Sequence, residues 1–356
     1  MQRVCLNMIV KDEAPVIARC LASVKPWVSH WVIVDTGSSD GTQAIIRDFM
    51  HDVPGTLHER PWKNFAHNRN EALRLARPHG DYLLFIDADE QLQVPHGFAW
   101  PPLAADGYTL TCHMDGWEYQ RNSLIATRVD WHWEGVLHEY LTAAKHGAWQ
   151  PLRGPVIHVS HDGARARDPG TYLRDVAVLE QAVKDDPRNA RNVFYLAQSC
   201  RDAGQVQASL HWYQHRVDMG GWDEERWYAL FQIAVLRERQ QAADSIVRDA
   251  YLAAYAARPQ RAEPLCELAR RHREHGEYAL ATLFALQASQ IPQPADILFV
   301  DTQVYAWRAL DELAVSAFYT PHQDAGRAAL RRLLQERRYP AAHAARIEGN
   351  RTFYGL

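Results

Sequence analysis

Residues 81–90 read Asp81-Tyr-Leu-Leu-Phe-Ile86-Asp87-Ala88-Asp89-Glu90. The unbroken apolar run 82–86 predicts a strand buried on both faces, the kind found in parallel sheets covered by helices. The strand stops at Asp87 and delivers two carboxylates one residue apart. Side chains at i and i+2 of an extended segment project the same way, so Asp87 and Asp89 can share one hard divalent cation. Alone, such a pair is a weak signal, because acidic residues are common just after strands.

Upstream, strands and helices alternate. Val4 to Val10 is an apolar run fit for another buried strand, and Asp12 to Val24 reads as a helix through Ala14, Ile17, Ala18, Leu21 and Val24. Trp31 to Val34 predicts a second strand ending at Asp35. Thr36 to Gly41 is a turn and Thr42 to Phe49 a helix. A short strand is expected within 54–60, and a helix over Asn64 to Ala76. This order implies a parallel sheet with helices on both faces, and in such sheets ligands collect beyond the carboxyl ends of the strands, where Asp35 and Asp87 stand. Downstream, Tyr108 to Met114 and Ser123 to Val129 look like antiparallel strands.

From about Tyr172 the pattern turns wholly helical and repeats. Phe194-Tyr-Leu196-Ala197…Gly204…Tyr213 and Leu268-Ala269…Gly276-Glu-Tyr278…Ala285…Ala288 fit the tetratricopeptide pattern, with a weaker copy at Leu230-Phe231…Ala234. The leucines are 34 and then 38 residues apart. Each hairpin needs neighbours to bury its apolar face, so a short solenoid is expected, with a closing helix over Asp324–Arg338. The aromatic tail Phe353-Tyr354 either docks on the body or frays.

Composition bounds the class. A chain of 356 residues that is 47% hydrophobic and 23% charged suggests two folded domains and excludes a disordered chain. Only 19 Gly and 18 Pro exclude collagen-like and low-complexity classes. Mean hydropathy of −0.40 and the lack of an apolar run near 18 residues argue against a spanning helix. The N-terminus has about five apolar residues before Lys11 and no small-residue cleavage site, so it reads as a strand rather than a signal peptide. Net charge is −4, which gives no global case for nucleic acid or anionic membrane, and all of it falls within residues 1–165. Of 39 basic residues 34 are Arg; bidentate anion contacts would use this bias, and genome base composition explains it more plainly. Five scattered cysteines suggest buried thiols in a reducing cytoplasm.

The Asp87–Asp89 pair has companions in order: Met8-Ile-Val10-Lys11-Asp12-Glu13, then Val32-Ile-Val34-Asp35-Thr-Gly37-Ser-Ser-Asp40-Gly41-Thr42, then Asn68-Arg69-Asn70. Together they resemble the nucleotide-sugar half of family 2 glycosyltransferases over about residues 3–92, departing where Asn68 replaces the usual Ala. The resemblance implies a GT-A fold, a Rossmann-like mixed α/β sheet with a D-x-D motif, here followed by an all-α tetratricopeptide-like domain. It implies that Glu13 and Asp35 contact base and ribose, with Val10 and Lys11 beside them. Arg69 would lie near base or diphosphate, Asp87 would reach the ribose or a metal-bound water with Ala88 adjacent, and Asp89 would bind Mn²⁺ or Mg²⁺. Plainer readings stand beside these: Asp35 as a turn residue, Arg69 on a solvated helix face, Asp40 as a helix N-cap.

Two later segments complete the expectation. Trp131-His-Trp133-Glu134-Gly-Val-Leu-His138-Glu139-Tyr140 resembles the W-x-G-x-x-H-E segment of family members that carry such repeats. An inverting transferase needs a carboxylate to take the acceptor proton. Glu139 is the first choice, then Glu134, then Asp115; an ion pair with an arginine is the alternative for Glu139. His138 either touches the diphosphate or bonds within the core. Trp117, Trp131 and Trp133 offer a sugar platform or core packing. In Pro155-Val-Ile-His158-Val-Ser-His161, the family pattern points to His158 as a further metal ligand beside Asp87 and Asp89, with His161 as competitor. Arg270, Arg271 and Arg273 either bind an anionic acceptor or form a solvated face.

The expected domains are 1–168 catalytic, 169–340 helical repeats and 341–356 a tail. The expected function is metal-dependent, inverting transfer from a nucleotide-diphosphate sugar, a UDP-sugar foremost, to a nucleophile on a macromolecule (protein, glycan or nucleic acid), in the cytoplasm, with self-association through the repeats as a further use. The alternatives are a modified DNA base as acceptor, or an inactive repeat scaffold. A nucleotidyltransferase would want a basic, glycine-rich loop after the first strand, where Lys11-Asp12-Glu13 is acidic.

Overall fold

The computed structural model describes residues 2–145 and 147–356. The chain divides into two compact units. One comprises the residues up to Asp115 with Tyr119–Gly204; the other comprises Gly116–Glu118 with Gln205–Leu356.

In the first unit, β1 (Val4–Val10) is buried along its length. Helix α1 (Ile17–Val24) buries Ile17, Cys20, Leu21 and Val24, one stripe at helical spacing. It starts five residues later than the periodicity predicts. The amides of residues 12–14 are taken by the neighbouring loop: Asp12 N–H bonds Ser38 Oγ, Glu13 N–H bonds Thr42 Oγ1 and Ala14 N–H bonds Asp40 Oδ2, all within 2.9 Å. Asp12 accordingly turns to φ +56. That loop follows as β2 (His30–Asp35) hands over to α2 (Thr42–Phe49), whose first amide bonds Asp40 Oδ1 at 3.0 Å. Then come β3 (Gly55–Glu59), α3 (Phe65–Ala76) capped by Asn64, and β4 (Tyr82–Phe85).

The sheet continues with β5 (Gln91–Gln93), β6 (Gly107–Met114), β7 (Trp117–Ala126) and, past a separate hairpin of β8 (Trp131–Glu134) and β9 (Tyr140–Ala143), β10 (Trp149–His158). The order is β3-β2-β1-β4-β7-β6-β10-β5. The first four strands are parallel, and β7 and β5 run antiparallel to β4 and β10. The sheet is therefore mixed, and β2, β1 and β4 lie side by side with Asp35, Val10 and the 87–90 segment at their carboxyl ends. A short α4 (Ala164–Arg167) and the mutually packed α5 (Thr171–Asp185) and α6 (Ala190–Asp202) close this unit.

The second unit is helical: α7 (Val206–Asp218), α8 (Asp223–Arg239), α9 (Asp244–Ala257), α10 (Glu263–Glu274) and α11 (Tyr278–Gln290). Helices α8 with α9 and α10 with α11 pack as hairpins, the second turning at Gly276 with φ +74, where a Cβ would be strained. A two-residue β11 (Val300–Asp301) leads to α12 (Ala309–Ser316), α13 (Gln323–Glu336), α14 (Ala341–Gly349) and α15 (Arg351–Tyr354). The tail docks. Tyr354 donates its hydroxyl to Ala314 O at 2.7 Å, and a Cβ at Gly326 would stand 2.1 Å from that hydroxyl, so the glycine makes room for it.

The arginine cluster of α10 is an internal network. Arg270 reaches Glu238, Glu267 and Glu274; Arg271 reaches Glu238 and Asp244; Arg273 reaches Glu312. These pairs stitch α8, α9, α10 and α12 together. No helix among the described residues is long and apolar enough to cross a membrane.

Candidate active site

Asp35 ends β2 and is 1% exposed. Its Oδ1 accepts from the Gly37 amide (3.0 Å), the Ser38 amide (2.9 Å) and Gln43 Nε2 (2.9 Å). Gly37 takes φ +108 to close that turn. Burial alone would raise the Asp35 pKa, but the Ser38, Gln43 and Gly37 donors outweigh it and hold the carboxyl below its ordinary value. Its Oδ2 is buried without a hydrogen-bond partner. The turn role thus uses one oxygen and leaves the other as an unmet acceptor.

Arg69, on α3, spans two carboxylates. Nη2 bonds Asp87 at 2.8 Å and Nε pairs with Glu139, the residue chosen from sequence as base. Its guanidinium lies 5.1 Å from the Trp133 ring centre. Side-chain exposure is 15% for Arg69 and 6% for Glu139, so this is a buried pair rather than a solvated helix face. Burial opposes the charge on Asp87, yet Arg69 and then Arg121 hold its pKa below the ordinary value.

Asp89 is placed differently. Burial, then the charges of Asp87 and Glu90, push its pKa up to about 6. The Gly163 backbone closes against it, so near that a Cβ would stand 2.8 Å from Oδ2. Glu13 accepts from the Ala164 amide at 3.0 Å. Burial, with Asp89 and Asp87 adding and the Ala164 amide and Arg167 opposing, lifts its pKa to about 7. Glu13, Asp87 and Asp89 are therefore within electrostatic reach of one another, a concentration of negative charge that favours a cation. Lys11 is exposed, while Val10 and Ala88 are buried beside these groups.

The remaining expected residues lie around this centre or away from it. Glu134 is exposed and bonds His132 Nε2 (2.7 Å) and the Tyr140 hydroxyl (3.0 Å), which lower its pKa. Asp115 sits in the turn after β6 with φ +50. The His138 ring stacks on Tyr195, 3.9 Å between centres and 11° between planes. Loss of solvent, then Arg191 and Arg165, push its pKa down to about 3. Trp131 packs on Trp149, Trp133 meets Phe85 edge-on, and Trp117 meets Tyr228 and Phe231 in the second unit. Of the three tryptophans, Trp133 adjoins Arg69. His158 bonds Gln93 and meets the His113 ring at 5.5 Å; burial and then His113 lower its pKa. His161 is exposed.

Among the described residues, no group of three or more His, Cys, Asp or Glu side chains could hold a metal ion. Asp87, Asp89 and His158 thus form no ready-made cage. The donor set suits a cation of the magnesium kind that is bound through one or two carboxylates together with substrate phosphates. Asp89, half-buried with the carboxylates of Asp87 and Glu90 close by, fits that role. Asp87 is already neutralised by Arg69.

Residues 5–96 match the family described as glycosyl transferase family 2. This N-terminal region is similar to family 2 glycosyltransferases. Over 312 residues the chain is 29% identical to a TPR repeat-containing protein of Synechococcus elongatus, covering 81% of this chain and 75% of that one. It is 34% identical over 92 residues to an uncharacterized glycosyltransferase of Rickettsia felis, covering 26% and 30%. Over 84 residues it is 34% identical to the prophage-derived glycosyltransferase SunS of Bacillus subtilis, covering 23% and 19%. Among solved structures, MamA aligns with a TM-score of 0.37 at 15% identity, covering 50% of this chain and 96% of that one.

Sequence reasoning missed the support behind the candidate site. Glu90 is 2% exposed; its Oε2 accepts from the Asp87 amide at 2.9 Å, and its carboxylate holds Arg121 at 2.7 and 2.5 Å. Glu90 abuts the D-x-D motif and was within sight. Arg121, on β7, carries no local signal. Arg19 was missed too: it ties Asp162 to the Asp89 carbonyl, 3.1 Å away.

Proposed function

We propose that the protein is a metal-dependent, inverting glycosyltransferase that moves a sugar from a nucleotide-diphosphate sugar, a UDP-sugar foremost, to a nucleophile on a macromolecular acceptor. The observation that carries this reading is Arg69 pinned between Asp87 and Glu139, beside the carboxylates Asp89 and Glu13; Glu13, Arg69, Asp87 and Asp89 fall within the residues matched to the family, and Glu139 beyond them.

The free Oδ2 of Asp35 accepts a hydroxyl or ring N–H of the nucleoside. Asp89 would hold Mn²⁺ or Mg²⁺, and such a cation would supply neutralisation of charge on the diphosphate leaving group. Arg69 exchanges part of its pairing for the diphosphate, and this frees Glu139. The acceptor nucleophile then attacks the anomeric carbon from the face opposite the diphosphate. Its proton passes to Glu139 as the bond from the anomeric carbon to the diphosphate oxygen breaks, with that electron pair leaving on the diphosphate. Glu134, exposed and bound to His132 and Tyr140, is the second choice of base. His158 serves the cation only if it leaves Gln93.

For the acceptor, the internal pairing of Arg270, Arg271 and Arg273 counts against a nucleic acid, and helical repeats favour a polypeptide. Five buried free cysteines support a cytoplasmic setting. The test is incubation with Mn²⁺ and a panel of UDP-, GDP- and TDP-sugars, following donor binding and hydrolysis. Wild type is expected to bind one donor class and Asp89→Ala to lose it. If no nucleotide sugar binds, and Asp89→Ala changes nothing, the reading is wrong.

A further inference from the structure

Glu139 sits in a peptide gripped from outside its own hairpin. Arg191, in the first turn of α6, donates through Nε (3.2 Å) and Nη2 (2.8 Å) to the carbonyl of His138, the residue just before Glu139. The His138 ring lies flat on Tyr195 of the same helix. The Arg191 guanidinium also covers the rings of Tyr140, just after Glu139, at 5.1 Å and of Tyr195 at 4.9 Å. Both neighbours of Glu139 are thus held by one helical turn.

The held conformation needs holding. His138 has φ +50, the left-handed region that a residue with a Cβ rarely adopts. Such strain persists only where the surroundings impose it. Arg191 has no carboxylate partner among the described residues, unlike the arginines of α10; its donors go to a backbone carbonyl as charge-assisted bonds. All of these residues belong to the first compact unit, which runs on to Gly204 and so includes α5 and α6.

We infer that Arg191 and Tyr195 are positioning residues that set the place of the acceptor-side carboxylate, so that α6, read from sequence as the first repeat helix, is part of the catalytic machinery. This rests on the reading of Glu139 as the base. Arg191 acts on Glu139 through the His138 peptide, and a displacement of about 1 Å at a reacting group can lower a rate on the order of 100-fold.

The test uses the full chain with Mn²⁺, the nucleotide sugar that wild type hydrolyses with water as acceptor, and calorimetric binding of the corresponding nucleoside diphosphate. Arg191→Ala is expected to lower kcat at least tenfold while KM and nucleotide affinity stay within twofold. Arg191→Lys, which keeps one donor, should recover part of the rate. In an Glu139→Gln background Arg191→Ala should have no further effect, which a general loss of structure would not produce. The inference is overturned if Arg191→Ala, Arg191→Lys and Tyr195→Leu retain wild-type kcat, or if kcat and donor affinity fall together, or if the Arg191→Ala and Glu139→Gln effects multiply. Should Arg191→Ala fail to fold, the lysine and Tyr195→Leu variants decide by the same criteria. If wild type binds no nucleotide sugar, the reading of Glu139 falls and this inference with it.

Discussion

Replacing Arg69 by Met should destabilise the first unit through Glu139 far more than through Asp87. The Glu139 side chain is 6% exposed, and Arg69 is its only charged partner among the described residues. Removing one member of a buried ion pair typically costs about 3–5 kcal/mol, because the other charge is left desolvated and unpaired. Asp87 is 43% exposed and keeps Arg121 at 3.7 Å, so losing Arg69 there adds less than about 1 kcal/mol. For a unit near 200 residues each kcal/mol moves Tm by roughly 2–4 °C, so a fall of about 6–20 °C is expected. The reverse change, Glu139→Leu, should cost less, since Arg69 retains Asp87. The double variant Arg69→Met with Glu139→Leu should recover most of the loss, because apolar replacement of a buried pair is often neutral. Thermal unfolding followed by circular dichroism at pH 7.5 closes this double-mutant cycle. A fall of under about 2 °C for Arg69→Met, or a double variant no better than the worse single one, would refute the argument that this pair is buried and coupled.

Three further expectations follow from particular groups. The folded pKa of Glu13 is about 7 against an ordinary 4.5, so folding takes up a proton between those values and stability falls as pH rises through that window; Glu13→Gln should therefore be more stable than wild type at pH 8 and no different at pH 4 in urea titrations, and an equal difference at both pH values would contradict the assignment. Gly163→Ala drives a Cβ to 2.8 Å from Asp89 Oδ2, so Mn²⁺-dependent nucleotide binding should weaken several-fold with little change in Tm; unaltered binding would show that Asp89 is not needed in its present position. Neutralising Arg270, Arg271 and Arg273 together should lower the Tm of the helical unit and leave retention on DNA at about 0.1 M salt unchanged and weak; lost retention at constant Tm would reinstate an anion-binding face.

The parallel core was legible because β1, β2 and β4 are buried on both faces and carry unbroken apolar runs that local sequence alone reveals. The start of α1 was not. Ala14 and Ile17 keep helical spacing, but the amides of residues 12–14 bond side chains on the Ser38–Thr42 loop, 26 to 29 residues away. A competitor that distant leaves no trace in the periodicity. The β7 strand likewise begins earlier than expected, since Trp117 to Asn122 look half-polar in isolation and gain their place from sheet neighbours.

The site separates along the same line. Asp35 could be read because it ends β2, and Asp87 and Asp89 because they follow closely on β4; the sheet's topology does the rest. What Glu139 is paired with could not be read, because Arg69 reaches it across 70 residues. The abundance of arginine becomes intelligible only at this level. Arg69 bridges two carboxylates and lies over an indole. Arg261, fully buried, bonds Glu263, Asp296 and two carbonyls and stacks 3.6 Å from the Trp227 ring centre. Arg121 fixes Glu90 behind the D-x-D segment. Each role needs a planar fork with several donors, which an ammonium group cannot supply. The buried pairs explain why Arg69, Arg121 and Arg261 could not be replaced by lysine without leaving carboxylates or carbonyls short of a donor. Arg191 extends this to the His138–Glu139 turn, where the fork's hydrogen bonds go to a single carbonyl and thereby to the placement of the carboxylate that follows it.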